Sequence, residues 1–580
     1  MTRRQILQLA GAGTAAALAD TAPAALRVFD YDQVELLESP LRRQFDTNHA
    51  FFLALDDDRM LKIYRQRAGL PAPGPDMGGW YDDFCPGAHF GQYVSALARF
   101  ARATNSEATR AKVKRLVRAY AQTLDPTGKF FVDLRYPGYT YDKLVCGLID
   151  AYWWAGDAEA REVLAETTRV ALPHMADHAL TPEEMQARPH KDETYTWDET
   201  YTLAENLFLA YERLGDRKYF DLGKRYLLDR GFFDPLAEGR NVLPGLHAYS
   251  HVNALSSGIQ GYLKLGAAKY LRAVRNAVAM ILKGQSYATA GWGPNEAFIQ
   301  PRKGELGDSI TSTHRHFETG CGSYAHFKIM RYLLLLTRDA QYGDSMERML
   351  YNAALGILPI LADGSTFYYS DYHPSARKSY DRIIPNAHYR WDLNDRWPCC
   401  SGTFPQVTAD YGISSYLRGA DSIYVNLYVP SRVKWRHGAI LQETDYPSGN
   451  HVTMTMTTAP TGKFTVYLRI PAWAGKGTAV SVNGRRLREE IAAGFFAVRR
   501  EWKAGDRVDL EIDQRVRYEA VDAQHPNLVA AMRGPQVMFA LAETQPKLSR
   551  RELDGLPGNI RVLPFGEIHE EVYQTYWQVT

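Results

Sequence analysis

Apolar residues recur at helical spacing from Phe51 to about Leu355 and at every second position after about Tyr411. This change of period limits the fold more than any other feature of the chain. A helix buries a stripe and a strand buries a face, so the two regions belong to different packing layers. In the first, segments such as HFGQYVSALARFARAT, TRAKVKRLVRAYAQTL, TLAENLFLAYERLG and KYLRAVRNAVAMILKG place apolar side chains near i, i+3, i+4 and i+7. Several close on Gly before a polar residue, as helix C-termini do. A helix-turn-helix unit that recurs without tight sequence identity predicts an (α/α) toroid of paired antiparallel helices. In the second region SIYVNLYVP, HVTMTMTT, KFTVYLRIP and RVDLEID run between Pro, Gly and Asn-Gly turns, which predicts antiparallel sandwich strands. Residues 364–402 lie between the two, rich in Tyr, Asp, Asn and Arg and without a period, and a loop of that length is a candidate for function.

Composition narrows the partners. The 68 basic and 66 acidic residues nearly cancel and no long run of one sign occurs, so the chain lacks the electrostatic footprint of a nucleic-acid binder. No apolar run reaches the ~20 residues of a membrane helix. Residues 1–25 carry Arg3-Arg4, then Ile6 and Leu7, an Ala/Gly stretch and the small-residue site Ala22-Pro23-Ala24. That order predicts an export signal of the twin-arginine type, with the mature protein in the periplasm or secreted. Yet the chain has only five cysteines, an odd number and too few for a disulfide framework in an exported protein of 580 residues.

Three of the five can carry chemistry. Cys399 and Cys400 are adjacent, which disfavours a disulfide between them, and Cys321 follows Glu318 in HFETGCGSYAHF. Glu318, Cys321, Cys399 and Cys400 together offer one carboxylate and three thiolates, a set that suits tetrahedral zinc; the alternative is that the thiols pack as small buried groups. Cys85 and Cys146 lie in or beside helical segments and read as core. Glu296 sits in a Gly/Pro-punctuated loop between Trp292 and Phe298, where partial burial would raise its pKa toward general-acid duty. Glu305, flanked by charge, reads as a solvated loop residue. His89, His247 and His251 fall at or near helix starts and could line one end of a toroid, although a lone His is as readily a structural hydrogen-bonding residue.

With these residues placed, the sequence resembles the β-L-arabinofuranosidase family of glycoside hydrolases, family 127, and its relative family 146. The series VELLESPLRRQFDTNHAFFLALDDDRMLKIYRQRAGL, GAHFGQYVSALARFARAT, YPGYTYDKLVCGLIDAYWWAG, GLHAYSHVNALSSG, NEAF, ETGC, CCSGT, SIYVNLYVPS, YLRIPAWAG and GPQVMFALAE looks like family landmarks in family order. The resemblance implies an (α/α)6 barrel over residues 26–410 and β-sandwich structure over 411–580. It implies a retaining exo-glycosidase whose zinc-bound cysteine is the nucleophile: Cys399 attacks, Glu318, Cys321 and Cys400 complete the zinc shell, and Glu296 is acid and base. The expected substrate-binding set is His89, Tyr139, Asp142, Glu205, His247, His251 and Tyr369.

The chain departs from the family pattern at four places. Gly320 interrupts the usual Glu-Thr-Cys, which changes where Glu318 points relative to Cys321. Asp142 stands where the family's Tyr-Thr-x-His-Lys has its His, Tyr249-Ser250 replaces Asn-Thr after His247-Ala248, and Ser401 replaces Val after the cysteine pair. These changes gather at the expected substrate face and point to a different sugar. Two other readings use the same residues. One is an (α/α) toroid lyase or epimerase working through Tyr368, Tyr369, His89 and His251 around a structural zinc, and the other is a non-catalytic glycan-binding protein.

Overall fold

The computed structural model describes residues 26–187, 198–380 and 396–580. The expected export segment, residues 1–25, lies outside them. Twelve helices form two concentric rings. The inner ring is α3 (Phe90–Thr104), α5 (Pro137–Trp153), α7 (Leu203–Leu214), α9 (Ala248–Leu265), α11 (Thr319–Thr337) and α13 (Cys399–Ala409). Each packs on the next, and α13 returns to α3, so the ring closes into an (α/α)6 barrel. The outer ring is α1 (Pro40–Ala54), α4 (Glu107–Ala121), α6 (Glu159–Ala171), α8 (Arg217–Arg225), α10 (Ala268–Gly284) and α12 (Ala340–Asn352); α2 (Asp57–Ala68) is an addition beside α4.

The sequence explains the layering. Inner helices are buried nearly all round their first turns, as in α3 and α5, whereas α4 and α8 bury one stripe and expose a charged face. Turns between ring partners stop on left-handed residues at Asn105, Gly215, Gly266 and Arg338. Glycine is required where α3 crosses α5, since a methyl group on Gly91 would stand 1.9 Å from the Lys143 carbonyl oxygen.

The ends of the two rings differ in a way that matters for function. Four of the six outer helices begin with their own side-chain cap, from Ser39, Ser106, Asp216 and Asp339. The inner six begin at His89, Tyr136, Thr202, His247, Glu318 and Pro398, and none of these side chains caps its helix. The inner helices run parallel, so their six N-termini, each with a partial positive charge, gather at one end of the barrel, where Asp198, Ser257 and the Tyr368 carbonyl oxygen accept from the N–H groups of Tyr139, Glu205 and Thr319.

The β region holds two packed sheets. One is β1 (Arg27–Val28), β5 (Tyr416–Arg418), β6 (Ser422–Val425), β10 (Lys463–Ile470) and β13 (Gly494–Glu501). The other runs β12 (Arg485–Arg486), β11 (Ala479–Val482), β14 (Arg507–Glu511), β9 (His451–Thr458), β8 (Gly438–Thr444), β7 (Ser431–Trp435) and β2 (Val34–Leu36). Pairing is antiparallel as expected, except that β10 lies parallel to β6. β1 and β2 come from the N-terminal entry, so residues 27–36 complete the sandwich rather than the barrel. A third small sheet, built on Val516–Ala520 and Leu528–Arg533, closes the C-terminal region. Arg469, wholly buried on β10, ties the sandwich to the barrel through Glu347 and Asp344 of α12. Inside the barrel a short ribbon, β3 (Phe317–Glu318) against β4 (Tyr369–Ser370), leads into α11.

Candidate active site

The uncapped ends of α11 and α13 meet face to face. Cys399 and Cys400 are the first two residues of α13, Glu318 precedes α11, and Cys321 is the third residue of α11. One carboxylate oxygen of Glu318 and the three Sγ atoms all lie within 4.8 Å of one another, and all four residues are buried. Cys399 Sγ is 3.1 Å and Cys400 Sγ 3.9 Å from Glu318 Oε1, and Cys400 Sγ is 3.6 Å from Cys321 Sγ. Thr403, a turn further on, donates to Cys321 Sγ at 3.2 Å.

The extra Gly320 therefore does not scatter the set. A residue just before a helix and the third residue within it lie on the same side of the first turn, the geometry on which capping boxes rest. Gly320 places Cys321 at that third position, beneath Glu318. It also makes room for α13, because a methyl group at Gly320 would stand 2.9 Å from Cys400 Cβ.

The electrostatics of the cluster call for a cation. Burial, and after it the charge of Cys399, pushes the Glu318 carboxyl up to about 8. Burial pushes the Cys399 thiol up to about 12 and that of Cys321 well above the usual range. Cys400 alone falls, to about 6, because hydrogen bonds from Cys321 and Cys399 outweigh its burial. Four acidic groups packed this closely cannot all ionise unless a positive charge joins them. Three sulfurs and one carboxylate oxygen suit zinc, so the residues present fit the expected metal.

Around the cluster, His247 links three carboxylates. Its Nδ1 lies 3.2 Å from Glu199 Oε1, and its Nε2 lies 3.4 Å from Glu318 Oε2 and 3.9 Å from Glu296 Oε2. Burial alone would lower its pKa, but the hydrogen bonds of Glu199 and Glu318 raise it to about 10. Glu296 is held from the other side: Tyr369 donates to Oε1, and Arg315 lies 3.6 Å from Oε1 while donating to the Tyr369 oxygen at 3.0 Å. Asn295 and Glu296 both have positive φ, 53° and 63°, a backbone cost of about 1–3 kcal/mol each that the surrounding bonds sustain. Among those bonds are Asn295 N–H to the Arg315 carbonyl at 2.7 Å and Thr313 Oγ1 to Asn295 Oδ1 at 2.7 Å. Next to Tyr369 on the same ribbon, the Tyr368 hydroxyl is 3.4 Å from Cys399 Sγ. Adjacent tyrosines thus touch the thiol and the acid.

Of the remaining expected residues, His89 and Tyr139 stand at the starts of α3 and α5 with rings 6.4 Å apart, edge to face. Asp142 faces the α5–α7 packing, accepting from Asn206, Thr202 and Lys143 at 2.8, 3.2 and 3.0 Å. Glu205 is not brought to the cluster. Its carboxylate is engaged by Lys328 and by the Tyr332 hydroxyl, between α7 and α11. His251 lies one turn into α9, stacked on Tyr201 at 4.5 Å with Nδ1 on the His247 carbonyl oxygen, and burial lowers it to about 3. Glu305, expected as a solvated loop residue, instead opens a short helix, Glu305–Ser312, where its Oε2 accepts the Gln300 N–H at 3.1 Å. Cys146 joins a buried polar network with Ser95 and Gln406, whereas Cys85 packs with Tyr136 and Tyr139 beside the site. Glu199, Lys143, Arg315 and the contact of Tyr368 with Cys399 were not anticipated. Glu199 carries no spacing signal, and Arg315 acts through Tyr369, which only the ribbon brings near.

The profile of "Beta-L-arabinofuranosidase, GH127 catalytic domain" matches residues 33–412, and that of the "GH127 middle domain" matches residues 422–514. A non-reducing end β-L-arabinofuranosidase of Bifidobacterium longum subsp. longum is 25% identical over 234 residues, which is 38% of this chain and 35% of that protein. The chain thus matches about a third of that relative's length. Among solved structures, a GH127 β-L-arabinofuranosidase from Geobacillus stearothermophilus T6 superposes with a TM-score of 0.71 at 19% identity, over 94% of this chain and all of the other. A GH127 β-arabinofuranosidase superposes with a TM-score of 0.72 at 17% identity, over 97% of this chain and 99% of the other.

Proposed function

Because the chain belongs to the GH127 β-L-arabinofuranosidase family, we propose that it is a retaining, exo-acting glycoside hydrolase that removes a terminal furanoside, with Cys399 as nucleophile and Glu296 as acid and base. The observation that carries this reading is the pairing across one small space of a buried thiol held at Glu318 with a strained, clamped Glu296, His247 lying between them. A zinc ion bound by Glu318, Cys321, Cys399 and Cys400 would keep the thiols deprotonated near neutral pH, where a free cysteine is mostly protonated.

The residues of the chain do the rest. The sulfur–carbon bond forms from Cys399 to the anomeric carbon as the glycosidic carbon–oxygen bond breaks. The leaving oxygen takes a proton from Glu296 at Oε2, Oε1 being held by Tyr369 and Arg315. Glu296, now ionised, takes a proton from water; the water oxygen bonds to the anomeric carbon and Cys399 departs as thiolate. Two displacements at one carbon retain its configuration. His247 and the N-termini of the inner helices offset the negative charge gathered there.

The catalytic work is assigned to the barrel within residues 26–410, and the β region to 411–580 with the entry strands of residues 27–36 added to it; the family matches over 33–412 and 422–514 support a division near residue 411. The Arg3-Arg4 segment supports export to the periplasm or beyond. The test is Cys399→Ser, assayed on the member of a panel of 4-nitrophenyl furanosides, β-L-arabinofuranoside among them, that the unaltered protein hydrolyses. Loss of a nucleophile costs roughly 10⁴–10⁶ in kcat, so turnover should vanish while thermal stability and sugar binding persist. Full activity in that variant would end the nucleophile assignment.

A further inference from the structure

Residues 516–580 lie beyond both family profiles, the second of which ends at residue 514, yet they bond to the two segments that clamp Glu296. One segment is the helix Glu305–Ser312, which leads through His314 to Arg315; the other is residues 369–378, which begin at Tyr369. On the second, the Tyr573 hydroxyl donates to the Asp371 carbonyl oxygen at 2.7 Å and the Tyr573 N–H to that of Ala376 at 3.0 Å. Gln574 donates to the Pro374 carbonyl oxygen. In return, the Lys378 ammonium donates to the Phe565 carbonyl oxygen at 2.6 Å and Arg377 to that of Glu570 at 2.8 Å. On the first, Asp522 Oδ2 accepts the Gly307 N–H at 2.8 Å. His525 closes over the same glycine, where an added methyl group would stand 2.1 Å from its Nδ1.

The two segments are also tied to each other. Asp371 Oδ2 lies 2.7 Å from Nδ1 of His314, the neighbour of Arg315. His316 Nδ1 accepts the Tyr372 N–H at 2.9 Å, so Nε2 carries the proton and donates to the Ser309 carbonyl oxygen at 3.1 Å. Asp371, His316 and Tyr573 are all buried. Asp371 is two residues from Tyr369, and His314 is one from Arg315, so what fixes Asp371 also fixes the hydroxyl and the guanidinium at Glu296 Oε1. Most of these bonds reach main-chain groups, and bonds of that kind set the course of a segment whatever side chains it carries.

We propose that residues 516–580 are a working part of the active site: through Tyr573 and Asp522 they set the two segments that hold the acid Glu296, and Asp371 is the positioning residue that joins those segments. The inference rests on the hydrolase reading above. Neither Tyr573 nor Asp371 touches the sugar or the thiol; both act through Tyr369 and Arg315. A displacement of about 1 Å at a reacting group can cost about 10²-fold in rate, so bonds this far from the chemistry still bear on it.

The experiment uses the zinc-loaded full chain with Tyr573→Phe and Asp371→Asn. The substrates are the phenyl and 4-nitrophenyl glycosides of the furanose that the unaltered protein hydrolyses, and hydrogen–deuterium exchange is followed over residues 305–316 and 366–378. Tyr573→Phe should lose roughly 2–10-fold in kcat/KM on the phenyl glycoside and Asp371→Asn roughly 10–100-fold, from the usual worth of a neutral and of a charge-assisted hydrogen bond. Both should lose less on the 4-nitrophenyl glycoside, whose departure needs less help from an acid, and both should exchange faster in the two segments. In a Glu296→Gln background Tyr573→Phe should add little on the phenyl glycoside, because the group it positions is gone. A unit that only supports the fold would lower both substrates equally and add its full effect in that background. Either of those patterns, unchanged kinetics in both variants, or unchanged exchange in the two segments overturns the proposal. Should the unaltered protein hydrolyse no furanoside, the hydrolase reading falls, while faster exchange in both segments still supports the anchoring.

Discussion

Gly320→Ala separates what the structure says about this site from what helix propensity alone would say. Gly320 is the second residue of α11, and replacing glycine by alanine inside a helix ordinarily stabilises by about 0.5–1 kcal/mol. Here the added methyl would stand 2.9 Å from Cys400 Cβ and 3.2 Å from Cys400 Cα and its carbonyl oxygen. Carbon atoms pack at about 3.5–4.0 Å, so α13 must retreat by roughly half an ångström or more at Cys400, one of the adjacent pair that supplies two of the expected zinc ligands. None of the three atoms is the end of a flexible side chain that could swing aside. Overpacking of this kind costs about 1–3 kcal/mol, which reverses the sign expected from propensity. Metal–ligand distances tolerate only about 0.2 Å, so zinc affinity should fall as well, by roughly 10–100-fold. The assay is thermal unfolding of the chelated and the zinc-loaded protein, with zinc affinity from chelator competition. A variant that melts higher than wild type and binds zinc equally well would refute the packing of α11 against α13 described here.

Three further outcomes are expected. Arg469→Ala leaves Glu347 buried and unpaired at the barrel–sandwich junction, and removing one partner of such a pair costs about 3–5 kcal/mol; denaturant unfolding checks this, and Arg469→Met with Glu347→Leu should recover part of the loss. Asp150 and Asp410 are carboxylates that burial alone would raise, but Arg99, with Arg213 and Arg331, holds both below the usual range. A depressed folded pKa gives stability that is present above the unfolded value of about 4 and is lost as pH falls through the folded one, so acid unfolding should begin below about pH 4 and move upward in Arg99→Met. Glu296→Gln should lower kcat/KM for glycosides with poor leaving groups by roughly 10²–10⁴, and less for activated ones, while Glu305→Gln leaves the rate unchanged.

The period change from helix to strand made the barrel and most of the sandwich legible, because long amphipathic segments advertise their partners. β1 and β2 were not legible, being two and three residues long and paired with strands some four hundred residues away. The parallel β6–β10 pair was likewise hidden, since alternation fixes which face is buried and not the direction of the neighbour. At the site, the cysteine and glutamate cluster could be named from the order of motifs, but the effect of Gly320 could not. Spacing says that a residue was added, while only helix geometry says that it turns Cys321 toward Glu318. Asp142 and Glu205 show the converse. The family resemblance suggested that both contact sugar, yet Asn206, Lys143 and Lys328 hold the two carboxylates in the packing between helices. Glu199 remained unseen because a single buried carboxylate has no pattern; its contact with His247 appears only in the fold.

The central claim is that Cys399 forms a covalent bond with the sugar. Glu296→Gln, treated with an aryl furanoside that needs no acid for departure, should complete the first displacement and stall at the second, which needs a base. Intact-protein mass spectrometry should then show a gain of one glycosyl residue, and peptide mapping should place it on Cys399. A gain mapped to Glu318, or turnover with inversion and no adduct, would contradict the account.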